Sequence, residues 1–102
     1  MASLKNKYGI VGVGHSALGK VPELSDYGLQ LTAVKAALDD AGLQKNDIDA
    51  VITHSHLGGA VRVHHQSVSE RLGIDSAFGV SLSSGGATSC LMVQVATAAI
   101  EA

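Results

Sequence analysis

The chain has 102 residues, which is room for one modest domain around one hydrophobic core. Hydrophobic residues make up 46% of it and its net charge is −2 with no basic run, so we expect a folded chain that binds neither nucleic acid nor an anionic membrane surface. No run of about 18 apolar residues is present, and we therefore expect no membrane span. The single cysteine excludes an intrachain disulfide and favours a reducing, cytoplasmic location.

The first part of the chain predicts a strand followed by a helix. Residues 8–14 are typical of a short buried strand that ends in a glycine turn. Ser25 is a good N-cap, and Gly42 is a good residue to end the helix that follows. Apolar residues between them recur at spacings of four, three and four, as one face of a helix requires. They are Tyr27, Leu31, Val34 and Leu38.

The rest of the chain repeats this alternation twice. Residues 50–53 and 78–82 predict two further strands, and residues 87–100 predict a third helix. The second helix is indicated by helical spacing ahead of Gly73, in Val61, His65, Val68 and Leu72. The order β-α-β-α-β-α, with connections of this length, predicts an α/β fold with a mostly parallel sheet and right-handed crossovers.

The third predicted helix is apolar all round. Gln94 and Glu101 are its only long polar residues, and a helix of this kind is buried on both sides. We therefore expect further chain, a second subunit, or both to cover it. The same feature leads us to expect that residues 1–102, made alone, aggregate or oligomerise.

Two motifs admit a functional and a structural interpretation. Residues 12–17 match the G-x-G-x-x-A form of the dinucleotide fingerprint, but Gly19 and Pro22 fall where its helix would run, so we favour a plain strand-end turn. Residues 53–56, Thr-His-Ser-His, are similar to the beginning of the metallo-β-lactamase metal-binding motif. Glycines then replace its Asp and His ligands at positions 58 and 59, and we expect no metal site.

The junction between the third strand and the third helix is the strongest candidate site. The chain runs through Gly85 and Gly86 into the helix, whose first free N–H groups can hold a negative oxygen. Cys90 falls about a turn inside the apolar helix, which favours a buried structural cysteine over a nucleophile. Ser83 and Ser84 lie nearby, but the G-x-S-x-G nucleophile motif is absent.

Five blocks, taken in order, resemble the N-terminal part of a thiolase, especially the branch related to sterol carrier protein x and the lipid-transfer-type thiolases. Each block alone is weak, but their order and spacing together are specific, and they cover nearly the whole chain. The ketoacyl synthases share the fold and stay open as an alternative. The blocks are residues 10–14, 36–43, 47–52, 69–74 and the Gly85-Gly86-Ala87-Thr88 junction with Ala96, Ala99 and Ile100.

The resemblance implies a three-layer thiolase-like fold, with buried helices between two mostly parallel sheets. Residues 1–102 would then be an incomplete N-terminal domain of a longer protein. The family commonly dimerises through the strand before the junction. That implies an interface formed here by Phe78, Gly79, Val80, Ser81 and Leu82.

The resemblance also implies a substituted catalytic position. Alignment on the helix, with Ile100 as anchor, places Gly86 where the family has its nucleophilic cysteine, and leaves Cys90 four residues late as a weaker alternative. Members of the branch that lack this cysteine look like aldolases, often alongside a small OB-fold partner. Gly85, Gly86 and Ala87 would supply the backbone that holds the substrate oxygen.

The implied function is therefore to make or break a carbon–carbon bond in a coenzyme A thioester, of acyltransferase or aldolase type, without a cysteine acyl-enzyme. The acyl-CoA is the substrate, no cofactor is covalently bound, and the base lies outside these residues. We accordingly expect the 102-residue chain alone to be inactive. The alternative is a non-catalytic subunit of the same fold that binds acyl-CoA or lipid, or serves only in assembly.

Overall fold

The computed structural model describes residues 5–19, 25–54 and 64–101. This part of the chain is mixed α/β, with three α-helices around a small parallel sheet of two strands. The elements are α1 (Asp26–Ala41), a 3-10 helix (Lys45–Asp47), β1 (Ala50–His54), α2 (His64–Leu72), β2 (Phe78–Leu82) and α3 (Thr88–Glu101).

The sheet separates α2 from α3. The two strands run in parallel, with Ala50 opposite Phe78 and His54 opposite Leu82. Ser81 points to the face where it contacts α2, and the alternation of side chains along a strand places Phe78 on the other face, towards α3. Because both strands end at the same edge, the starts of α2 and α3 are brought to that edge as well.

The predicted helix boundaries are confirmed at three positions. The Ser25 hydroxyl accepts a hydrogen bond from the Gly28 N–H at 3.1 Å and so caps α1. Gly42 ends α1 with φ of 72°, and Gly73 follows α2 with φ of 74°, a left-handed conformation that favours glycine. Val61, which was expected in the second helix, lies outside the described residues.

The first predicted strand is the clearest difference from expectation, because residues 8–14 form no strand. Their backbone packs against α1 instead. A β-carbon on Gly12 or Gly14 would stand 2.4 Å from a backbone atom of Ala37. The Val13 N–H donates to the Asp40 side chain at 3.0 Å, not to a neighbouring strand. The two glycines of the G-x-G pattern thus serve close packing on a helix, and the described sheet has two strands where three were expected.

One face of α3 packs on the sheet and the other is exposed. Thr88 is buried and Leu91 half-buried on the inner face. Val93 is 51% exposed away from the sheet, and Ile100, at the end of the helix beside Phe78, is 68% exposed. Burial on both sides is therefore not met within the described residues, since both of these apolar side chains stay exposed. No helix in the described ranges is both long and apolar enough to cross a bilayer.

Candidate functional site

The predicted junction lies at the carboxyl edge of the sheet, where β2 ends at Leu82 and α3 begins at Thr88. Residues 83–87 connect the two elements and are exposed. The Ala87 carbonyl accepts the first helical hydrogen bond, from the Leu91 N–H at 3.0 Å, so Ala87 is the N-cap of α3. Gly85 reverses the chain direction with φ of 58°.

Thr88 holds this turn together from inside. Its side chain is almost fully buried, and the hydroxyl makes two hydrogen bonds across the turn. It accepts from the Ser84 N–H at 2.9 Å and donates to the Gly85 carbonyl at 2.7 Å. Thr88 appeared in the sequence analysis only as part of a matching block. The available signal was a hydroxyl residue in the first helical turn after two glycines.

The backbone groups predicted to hold a substrate oxygen belong to this turn. The Ala87 N–H donates to the Ser84 carbonyl at 3.3 Å, a long hydrogen bond that stabilises the turn only weakly. A β-carbon on Gly86 would meet no atom within 4 Å, so the turn is open at this position. A side chain, including a thiol, would fit there. The binding role of Gly85, Gly86 and Ala87 stays a prediction.

The two glycines of the turn should respond differently to substitution. We expect Gly85→Ala to lower the free energy of unfolding by about 1 kcal/mol, because its left-handed conformation strains any residue with a β-carbon. Gly86→Ala is the matched control and should be close to neutral, since open space surrounds its β-carbon position. Urea unfolding followed by circular dichroism measures both. Equal losses in the two variants would contradict the described turn.

Cys90 does not have the burial expected of a structural cysteine. It is the third residue of α3, lies on the outer face of the helix and is exposed. The buried thiol expected from the apolar character of the helix is therefore not seen in the described part of the chain. Exposure in the first turn of α3 is a feature of reactive thiols, so the use of Cys90 as a nucleophile stays open as the weaker alternative.

A polar cluster at the same edge was missed by the sequence analysis. The Ser81 hydroxyl oxygen lies 2.9 Å from both the backbone N and the ring Nδ1 of His65, and 3.2 Å from the Thr53 hydroxyl. The Ser69 hydroxyl donates to the His65 carbonyl at 2.8 Å. These bonds tie the start of α2 to both strands. Because they satisfy the polar groups of a half-buried contact, the cluster holds the start of α2 at the carboxyl edge of the sheet.

Two other predictions concern residues near this edge. Within the described residues, no group of three or more His, Cys, Asp and Glu side chains is arranged to hold a metal ion. Thr53 and His54 are the last residues of β1, whereas Ser55 and His56 of the Thr-His-Ser-His motif lie outside the described ranges. The dimer strand predicted at residues 78–82 is β2, which pairs with β1 on one side and with no other described strand. Dimerisation through it stays a prediction.

Comparison with known proteins gives a structural similarity that bears on function. No family model matches the chain, and no curated protein matches its sequence. Among solved structures, the chain is similar to one described as "Ltp2-ChsH2(DUF35) aldolase", with 31% sequence identity and a TM-score of 0.74. The match covers 90% of this chain and 23% of that chain, so the chain spans about a quarter of the length of its neighbour. The two proteins share a fold over this region.

Proposed function

We propose that this chain supplies the substrate-binding junction of a thiolase-like enzyme that makes or breaks a carbon–carbon bond in a coenzyme A thioester. The observation that carries the proposal is the likeness to a protein named as an aldolase, at 31% identity over 90% of the chain. It favours an aldolase reaction over acyl transfer. The acyl-CoA substrate is an inference from the thiolase resemblance of the junction.

The junction supports chemistry without an acyl-enzyme. Gly86, at the position of the family nucleophile, carries no group that can attack a thioester. Cys90 lies four residues later and faces outward from α3. An aldolase needs no covalent adduct, since charge stabilisation at the thioester oxygen is sufficient. The absence of a thiol at Gly86 is therefore compatible with aldol chemistry and unfavourable for ordinary thiolysis.

The proposed cleavage can be written from a β-hydroxyacyl-CoA. A base removes the proton of the β-hydroxyl, the Cα–Cβ bond breaks, and its electron pair moves to Cα and the thioester oxygen as an enolate. The β-carbon leaves as a ketone or aldehyde, and a proton added to Cα gives the shortened acyl-CoA. The reverse sequence forms the bond. No described residue is assigned as the base.

The start of α3 would stabilise the enolate oxygen. Backbone N–H groups of Gly85, Gly86 and Ala87 lie at the positive end of the helix dipole. Donors held in place before the reaction lower the barrier most, by about 3 kcal/mol for a single donor in well-studied enzymes. The two hydrogen bonds of the Thr88 hydroxyl would keep the turn in that arrangement.

The partners in this proposal are the acyl-CoA, a second copy of the chain joined through β2, and a small OB-fold protein, in the cytoplasm. The name of the similar structure joins two proteins, which supports an enzyme that works in a complex. The free side of β2 among the described strands supports pairing with a second copy. Both partners would extend a site of which these residues form only one part.

Intact-protein mass spectrometry after incubation with acetyl-CoA tests the absence of an acyl-enzyme. We expect no mass gain in the natural chain. We expect acetylation of a variant that combines Gly86→Cys with Cys90→Ser, because the new thiol would stand at the open helix start, where its thiolate is stabilised. An acetyl adduct on Cys90 of the natural chain would overturn the proposal.

A further inference from the structure

A second candidate binding surface lies at the opposite edge of the sheet. It is a groove of about 400 Å³ between α1, the 3-10 helix and the end of α2. Four half-buried leucines form its floor, and three exposed cations stand around it. We call this surface the basic groove. Its floor is Leu31, Leu38, Leu43 and Leu72, and its cations are Lys35, Lys45 and Arg71.

Positive charge is concentrated at this groove. The sequence has seven Lys and Arg residues, of which Lys20 and Arg62 lie outside the described ranges, leaving five. Three of those five line the basic groove together with one acidic residue, Asp39, although the whole chain carries a net charge of −2. A local excess of cations on an acidic chain attracts an anionic partner.

Two of the three cations are available to such a partner. Lys35 is bound to Asp39 at 3.2 Å, but neither Lys45 nor Arg71 forms a salt bridge with a carboxylate in the described part of the chain. The Arg71 guanidinium lies over the Tyr27 ring, 3.9 Å from its centre. Stacking fixes the plane of the guanidinium and leaves the N–H groups at its edge able to bind a carboxylate.

Helix electrostatics alone do not account for this arrangement. Both α1 and α2 end beside the groove, and cations near helix C-termini stabilise the negative end of the dipole. Arg71 lies in the last turn of α2, and Lys45 Nζ stands near Gly73 just after it. That explains two cations. It does not explain why four leucines form an accessible floor between them.

We propose that the basic groove binds an acidic segment of a partner protein, with aliphatic side chains on the leucine floor and carboxylates facing Lys45 and Arg71. A small amphiphilic anion is the less suitable occupant, because ligand pockets bury most of their ligand whereas all three cations here are exposed. Peptide-binding grooves are open in this way. The inference is independent of the proposed catalytic function, since the groove and the junction lie at opposite edges of the sheet.

Fluorescence anisotropy with a labelled synthetic peptide tests the inference. The probe is the hexapeptide Glu-Leu-Glu-Glu-Leu-Glu, and its control has Gln in place of every Glu. We expect saturable binding of the acidic peptide that weakens as salt is added, because exposed charges are screened. Lys45→Glu combined with Arg71→Glu should weaken binding about tenfold, the sum of two exposed ion pairs lost. Lys45→Arg, which keeps the charge, should bind like the natural chain.

Several results would overturn the inference. Equal binding of the Gln peptide would remove the role of charge, and unchanged binding in the double reversal would place the peptide elsewhere. Saturable binding of sodium decanoate without binding of the peptide would identify a small-anion site instead. All the substituted side chains are exposed, and circular dichroism checks that each variant keeps its helices. The salt titration is performed on the natural chain, so its result does not depend on whether any variant folds correctly.

Discussion

Thr88→Val should lower the free energy of unfolding by about 1–3 kcal/mol, the range for a buried polar group that loses its partner. Valine has nearly the shape of threonine but lacks the hydroxyl. The Ser84 N–H would lose its acceptor, and the Gly85 carbonyl would lose a donor at 2.7 Å. Thr88 is 2% exposed, but Ser84 and Gly85 are exposed, so water can partly replace these bonds and we expect a value near the lower end of this range.

Urea unfolding of matched variants separates this effect from a general loss of helix propensity. Thr88→Ser keeps the hydroxyl and should recover most of the stability. Thr97→Val is the control in the same helix, where the hydroxyl donates to the Gln94 carbonyl at 2.8 Å on the exposed side. Its loss should be well below that of Thr88→Val. Similar losses at positions 88 and 97 would show that the turn does not depend on the Thr88 hydroxyl.

The exposed apolar residues of α3 should make the chain associate with itself. Val93 and Ile100 stand exposed on a helix with few polar residues, and an apolar strip of this kind is a contact surface. We expect light scattering after size exclusion to report a mass that rises with protein concentration. Val93→Gln combined with Ile100→Gln should shift the population strongly towards the monomer, because it removes apolar area from the contact.

A second pair of exposed residues is the control for this prediction. Ile10 and Val13 are 77% and 72% exposed in the segment that lies on α1. Their replacement by glutamine should change the association much less if contact occurs through α3. A chain that stays monomeric at every concentration would contradict the prediction. An equal decrease in association in the two double variants would show non-specific association instead.

Features set by neighbouring residues were predictable from the sequence. The Ser25 cap and the glycines after α1 and α2 depend on bonds that reach only a few residues along the chain. The two observed strands were short apolar runs between turn residues, and each fell where it was expected. The junction between β2 and α3 followed from these boundaries.

Features set by distant residues were not predictable. Residues 8–14 have a strand-like composition, but the packing of Gly12 and Gly14 on α1 depends on small residues distant in the sequence, such as Ala37. The contact of Ser81 with His65 and Thr53 joins three elements, and none of the residues is unusual alone. The exposure of Cys90 depended on what covers the outer face of α3, which the helical pattern does not specify.

The proposed function requires the turn before α3 to bind the oxygen of a coenzyme A thioester. The most direct measurement is a nuclear magnetic resonance titration of the isotope-labelled chain with acetyl-CoA. We predict saturable shifts of the Gly85, Gly86 and Ala87 amides, with free coenzyme A producing smaller shifts there because it lacks the carbonyl. Unmoved amides in this turn at saturating acetyl-CoA, or shifts confined to another surface, would contradict the account.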